Sequence, residues 1–449
     1  MKKAIRMIYA VSFFLLTVFF AASVENAYAV PAFARQTGMA CNTCHFQHFP
    51  VLNEFGRSFK AGGYTTIGGQ SLLEGDFLSL PSVLNASLVT KIMYQKSNGD
   101  SKLVNERNSG ELQFPNEGAI LFGGRVGEHM GFLLETQIVE ESEVGWASFK
   151  IPFTYEVASE TKLGVVPFTT DAGGAAYGFD LLNTGAMRMQ RSLEHRTETS
   201  AQQYISTDES NVATGVAFVA SNPIGYVNFT IWSPEHVNTD AKPYLNYYRA
   251  VLTPKVGVWD LAIGGQVWDG ETHYTDDVTT EVVCTAPGVP DPACTIAGEE
   301  FDVTTPARTK VKAEAWAIDA QAQGAIGGMP LGVYLTYGVA EKTGTGANAV
   351  TNLFNSRTTD DRKAWTALVE LGVMPGRATV AAAYRRGETG AATDNVQTAT
   401  TLGVTYLLTQ NVDFMINHTW YGGSYYDLTA NNEDATGDRL TTIMMFAAF

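Results

Sequence analysis

Residues 331–339, Leu331-Gly332-Val333-Tyr334-Leu335-Thr336-Tyr337-Gly338-Val339, alternate with a period of two. Leu331, Val333, Leu335, Tyr337 and Val339 share one face; Gly332, Tyr334, Thr336 and Gly338 share the other. Val258–Trp268 repeats the pattern, with Trp259, Leu261, Ile263 and Val267 opposite Asp260, Ala262, Gly264 and Gln266. An apolar face opposite a small or polar one suits a strand with lipid outside and water or a plug inside. A soluble sandwich with one wet face would alternate in the same way. The rhythm of the connections separates the two.

Short turn signals recur near Gly127–Met130, Ala158–Thr161, Ser221–Pro223, Pro254–Val256, Ala325–Met329, Met374–Gly376 and Thr409–Asn411. Between them lie longer connections at 95–116, 171–210, 233–243, 269–310, 342–361, 387–397 and 423–438, and a short one at 140–144. Seven tight turns alternating with eight other connections give about sixteen strands, the even number of an outer-membrane barrel. The expected fold is all-β: a porin-like antiparallel transmembrane barrel over 76–449, both ends periplasmic, closing on a strand that ends in Phe449. The place for such a barrel is the outer membrane of a Gram-negative bacterium, with membrane lipid around it.

Composition agrees. The 449 residues are 45% hydrophobic and 17% charged, with 43 glycines and 19 tyrosines, and the mean hydropathy is −0.04. That is too polar for a helical membrane bundle and too apolar for disorder. A formal charge of −16 argues against nucleic acid, which needs a basic surface to replace counterions.

Lys2, Lys3 and Arg6 precede the uncharged run Met7–Val24, and Ala27-Tyr28-Ala29 follows with a small-x-small cleavage pattern. Residues 1–29 read as a signal peptide. Removing Lys2, Lys3, Arg6 and Glu25 from 30 basic and 46 acidic residues leaves 27 and 45, a charge of −18.

Cys41-Asn42-Thr43-Cys44-His45 is a CxxCH motif in an exported chain. Two thiols at this spacing add across the haem vinyl groups, and the adjacent imidazole takes one face of the iron. A disulfide or half a zinc site uses the same spacing, but zinc wants a second pair nearby and none is present. One covalent c-type haem on Cys41 and Cys44, with His45 as axial ligand, is the expected cofactor. The sixth ligand is open. His48 would share a helical face with His45, which suits a contact to the haem edge or a propionate. Strand parity turns Met93 and Met415 inward, where ligation competes with plain lumen packing. Cys284 and Cys294, in a proline-rich loop, are expected to form a disulfide.

The segment 30–75 is short for an independent core. It is aromatic, with Phe33, Phe46, Phe49, Phe55, Phe59 and Tyr64, and carries a net +1 from Arg35, Arg57 and Lys60 less Glu54 and Glu74. A helical haem segment seated in the barrel lumen, finished by the inner wall, accounts for both its size and its charge.

Residues 31–64, PAFARQTGMACNTCHFQHFPVLNEFGRSFKAGGY, followed by a porin-like chain, resemble the fused monohaem cytochrome–porins of the outer membrane. The likeness lies in Arg35-Gln36-Thr37-Gly38, Cys41–His45, Phe49-Pro50, Phe55-Gly56-Arg57 and Phe59-Lys60. The resemblance implies an electron conduit of the ferrous-iron oxidase type: iron(II) at the cell surface gives an electron to the haem, and a periplasmic cytochrome or copper protein takes it. The same N-terminal pattern also suits relatives whose extracellular donor is not iron.

Iron(II) prefers carboxylate, imidazole and water ligands. Asp269, Glu271, Asp276, Asp277, Glu281, Asp291, Glu299, Glu300 and Asp302 crowd one outer connection, and Glu140, Glu141 and Glu143 another. Such a field would concentrate cations, although an ordinary solvated loop has the same composition. Arg188, Arg191 and Arg196 read as a surface patch or as residues folded toward haem propionates. Two other functions stay open: a solute channel in which the haem plug is structural, and a conduit exporting electrons to extracellular acceptors. No triad, phosphate loop or paired-carboxylate signature stands out.

Overall fold

The computed structural model describes residues 31–76, 78–99, 106–139, 145–185, 193–237, 244–283, 300–346, 348–426 and 437–449. The signal segment, the Cys284 and Cys294 pair, Glu140, Glu141, Glu143, Arg188 and Arg191 lie outside the described residues. So do Asp291 and Glu299.

A closed antiparallel barrel of sixteen strands runs from Ala86–Ser97 to Arg439–Ala448. Phe153–Ala158 continues Gly145–Lys150 as one wall strand, and Lys255–Val256 continues Leu245–Leu252. The seam closes where the last strand pairs with the first, from Leu440↔Ser97 to Ala448↔Val89. There the Leu88 and Phe449 backbones exchange hydrogen bonds of 2.7 and 2.9 Å. Closure leaves no unpaired edge, the condition for crossing lipid with strands.

Alternation sets the two faces. Leu335, Ile263 and Val267 are 48%, 59% and 44% exposed on the outer surface, whereas Tyr334, Gln266 and Thr336 are buried inside. Every tight turn expected from the sequence is present, at Gly127–Met130, Ala158–Thr161, Asn222–Gly225, Val256–Trp259, Ile326–Met329, Met374–Ala378 and Thr409–Val412. Glycines at positive φ mark several of them, including Gly257, Gly327 and Gly376.

One expectation is corrected. The connection expected over 269–310 is largely ladder: Trp259–Val283 and Glu300–Ile326 stay in register from Asp260↔Gln323 to Val283↔Glu300. Both strands far exceed the ~9–11 residues that cross a bilayer, so the hairpin projects beyond the membrane. Outside lipid neither face needs to be apolar, so the alternation that marks a strand in sequence is lost there. The β-branched run Val278-Thr279-Thr280 faces Val303-Thr304-Thr305 and maintains strand geometry.

The connection 171–210 takes the inward of the two courses its arginines left open. Its described parts fold into the lumen, burying Phe179, Leu181, Leu182, Leu193 and Ile205. A solvated loop would have left these side chains in water, at roughly 1.5–3 kcal/mol each. Arg196 belongs to this inward loop and lies 3.7 Å from Glu194, so it is not part of a surface patch.

Residues 31–64 form the other filling. Helices α1 (Ala32–Thr37), α2 (Cys41–Cys44) and α3 (Glu54–Ala61) precede a hairpin, Leu72–Gly75 with Leu78–Pro81. The first strand of the barrel wall is Ala86–Ser97.

Candidate functional site

The plug is held together by its aromatic residues. Phe33 of α1 stacks on Tyr64 at 4.9 Å and meets Phe59 of α3 edge-on at 5.2 Å. Gln36, fully buried, donates to the Tyr64 and Thr66 carbonyls at 2.7 Å each and accepts from the Arg125 backbone N–H of the wall at 2.9 Å. Gly38 ends α1 in the left-handed region, φ 71°, its N–H on the Ala34 carbonyl. Arg35 donates to the Ala86 carbonyl at the first wall strand. Three of the four residues Arg35–Gly38 thus cap α1 or bind it to the barrel.

The CxxC turn follows. Cys41 and Cys44 are half-buried at i and i+3, neighbours on one side of a single helical turn. Burial raises both thiols above their ordinary pKa. The Cys41 N–H donates to Gln410 Oε1 at 2.9 Å, which pins the turn to the wall connection Thr409–Val412. Asn53 caps α3 by accepting from the Gly56 N–H at 2.9 Å, and its Nδ2 donates to the Thr43 carbonyl. A Cβ on Gly56 would stand 2.1 Å from the Cys44 carbonyl oxygen. Only glycine lets α3 lie this close to the CxxC turn.

His45 turns inward. Burial lowers its pKa to about 4, so the imidazole is neutral, the form that ligates a metal. Its ring lies 5.1 Å from Phe49, which stacks on Phe446 of the last strand, also at 5.1 Å. His45 Nδ1 has no hydrogen-bond partner among the described residues. Two adjacent thiols, a half-buried neutral imidazole and neighbouring aromatic rings fit a covalently attached haem.

His48 takes a different role. Its Nε2 donates to Glu370 Oε1 at 2.7 Å and its Nδ1 to the Phe49 carbonyl at 2.7 Å. Burial alone would lower its pKa, but the charge and hydrogen bond of Glu370 outweigh it and raise the pKa to about 9. Both ring nitrogens are committed, so His48 is a charged anchor between plug and wall, with no free nitrogen for iron. Thr379 completes Glu370 Oε1 at 2.8 Å. An inward acid on the alternating strand Arg362–Met374 is the sequence signal that would have identified this partner.

Met93 and Met415 both face inward and are buried. They do not stand alone: Met415 pairs in register with Met444, and Met444 with Met93, on three adjacent strands. All three pack with Phe446, Val89 and Phe49.

The remaining anchors hold the plug to the wall and to the inward loop. Arg57 Nη2 lies 2.6 Å from Asp260 Oδ2. Asn183 of the loop accepts from the Leu52 N–H at 2.7 Å and donates to its carbonyl at 2.9 Å. The loop is fixed in turn to a buried wall cluster. Tyr226 donates to Asp180 at 2.6 Å, Arg249 Nη2 to Asp319 Oδ2 at 2.9 Å, and Thr184 to the same Oδ2 at 2.6 Å. Among the described residues no group of three His, Cys, Asp or Glu side chains is placed to hold a metal ion.

These features define a closed sixteen-stranded antiparallel β-barrel with an apolar outer face, its lumen occupied by its own N-terminal segment and one inward loop. In solved structures the chain is similar to OmpT of Vibrio cholerae, with 12% identity, a TM-score of 0.43, and 84% of this chain covered against 100% of that one. It is also similar to Pseudomonas putida OprB, with 10% identity, a TM-score of 0.47, and coverage of 82% and 94%. An engineered Rh. blastica porin gives 11% identity, a TM-score of 0.45, and coverage of 82% and 100%. No protein-family model matches the sequence, and no curated protein matches it.

Proposed function

We propose that the barrel is a haem-plugged electron conduit: one c-type haem bound through Cys41, Cys44 and His45, an extracellular donor such as iron(II), and a periplasmic cytochrome or copper protein as acceptor. The observation that carries this reading is the seat of the CxxCH turn. It hangs from Gln410, on the side of the barrel that holds the tight turns and both chain ends, which is the periplasmic side. That position favours exchange with a soluble periplasmic partner.

The bound haem would supply a one-electron centre. Cys41 and Cys44 would anchor it, His45 would donate its neutral imidazole, and Phe49 and Phe446 would exclude water beside it. Iron(II) would lose one electron to become iron(III), and the same electron would reduce the periplasmic carrier. The acidic outer hairpin supplies the cation's attraction, while the filled lumen keeps the exchange electronic.

The solute-channel reading meets that filled lumen as its obstacle. Anaerobic addition of iron(II) to the oxidised protein, followed through the haem absorption, tests the proposal, with single-channel conductance measured in parallel. Reduction by iron(II) with no conductance supports the conduit. Conductance without reduction supports a channel. Reoxidation only by extracellular acceptors would reverse the direction of flow.

A further inference from the structure

Resting on that haem reading, we infer that the sixth iron ligand is the thioether of Met444. The nitrogen donors near the haem segment are already engaged. Of the described histidines other than His45, two lie buried in the lumen. His48 is bound at both nitrogens by Glu370 and Phe49. His195 is bound at both by Thr419 and Thr442. Lys91, the inward lysine beside them, is paired with Glu117 at 2.7 Å and Glu194 at 3.4 Å. Each of these would have to abandon a buried polar partner to reach iron.

The thioethers owe nothing to hydrogen bonds. Met415, Met444 and Met93 form one inward rank across the last strand and its two neighbours, and all are buried. Met444 is the middle member. On its own strand it shares a face with Phe446, two residues on, and Phe446 is the ring that stacks on Phe49 beside His45. Thr442, two residues the other way, holds His195 of the inward loop at 2.6 Å. Met444 therefore lies between the plug's contact with the wall and the loop's contact with it. A soft, uncharged sulfur there carries no charge-burial cost, and Met93 and Met415 flank it on both sides. Met39 is only two residues from Cys41, a tether that makes it a sterically awkward ligand.

The test uses the purified holoprotein. The oxidised wild type is expected to show the far-red absorption band of thioether-ligated c-type haem. Met444→Leu is expected to lose the band and lower the haem potential, while Met93→Leu and Met415→Leu retain both. Retention of the band in Met444→Leu, or its loss only in a flanking variant, overturns the assignment. Should Met444→Leu fail to assemble, Met444→His keeps a ligand in place: loss of the band with a lowered potential supports Met444, and an unchanged spectrum refutes it. Covalent haem without a far-red band sinks the ligand alone; a wild-type chain without covalent haem sinks the underlying reading.

Discussion

Leu52 of the plug and Asn183 of the inward loop hold each other by two reciprocal hydrogen bonds, 2.7 and 2.9 Å long. One segment enters the lumen from the periplasmic end and the other from the outer end, and here they join. Asn183→Ala leaves the part-buried Leu52 N–H without its partner, at a cost of up to about 1 kcal/mol. Faster proteolysis within residues 46–60 at unchanged barrel heat stability is the expected result; equal protection in both proteins would show that the junction contributes nothing.

His48 and Glu370 give the plug a pH dependence. The folded pKa of His48, about 9, lies above the ordinary 6.5. The stabilisation is therefore complete below pH 6.5 and is lost as pH rises through about 9. Plug protection against protease should fall across that window, and Glu370→Gln should abolish the dependence while weakening the plug by about 3–5 kcal/mol, the cost of stranding one member of a buried pair.

Gly56 is the point where α3 touches the CxxC turn. Gly56→Ala forces a methyl group against the Cys44 carbonyl, an overpacking of about 1–3 kcal/mol. Covalent haem per barrel, read from the haem absorbance of the denatured chain, should fall, whereas Ser58→Ala, on an exposed position of α3, should leave it unchanged.

Arg249 anchors the inward loop through Asp319 and Asp180. Arg249→Leu leaves two buried carboxylates uncompensated, and the loop should detach from the wall. In planar bilayers this variant is expected to raise conductance above the wild type. A closed Arg249→Leu barrel would mean that the plug alone seals the lumen.

Much of this fold was legible because glycine, proline and asparagine punctuate the chain at the tight turns, and lipid imposes alternation between them. Beyond the lipid that pressure ends, and the ladder through Thr279 and Thr304 could not be told from a loop. The inward course of 171–210 had a signal in Phe179, Leu181 and Leu182, apolar side chains that a solvated connection would not carry. At the site, Cys41, Cys44 and His45 are contiguous and were read directly. Glu370 and Gln410 reach the motif only through barrel closure. Met444 has the same inward parity as Met93 and Met415, but its place between them depends on cross-strand register, which no single strand encodes.

The haem itself is the most direct test. The purified protein, denatured and resolved by mass, should carry one haem bound to the peptide containing Cys41 and Cys44, and iron(II) should reduce it before denaturation. The Cys41→Ala/Cys44→Ala variant should lack both signals while still forming a heat-modifiable barrel. A wild-type chain with free thiols at Cys41 and Cys44 and no haem mass would contradict the conduit outright.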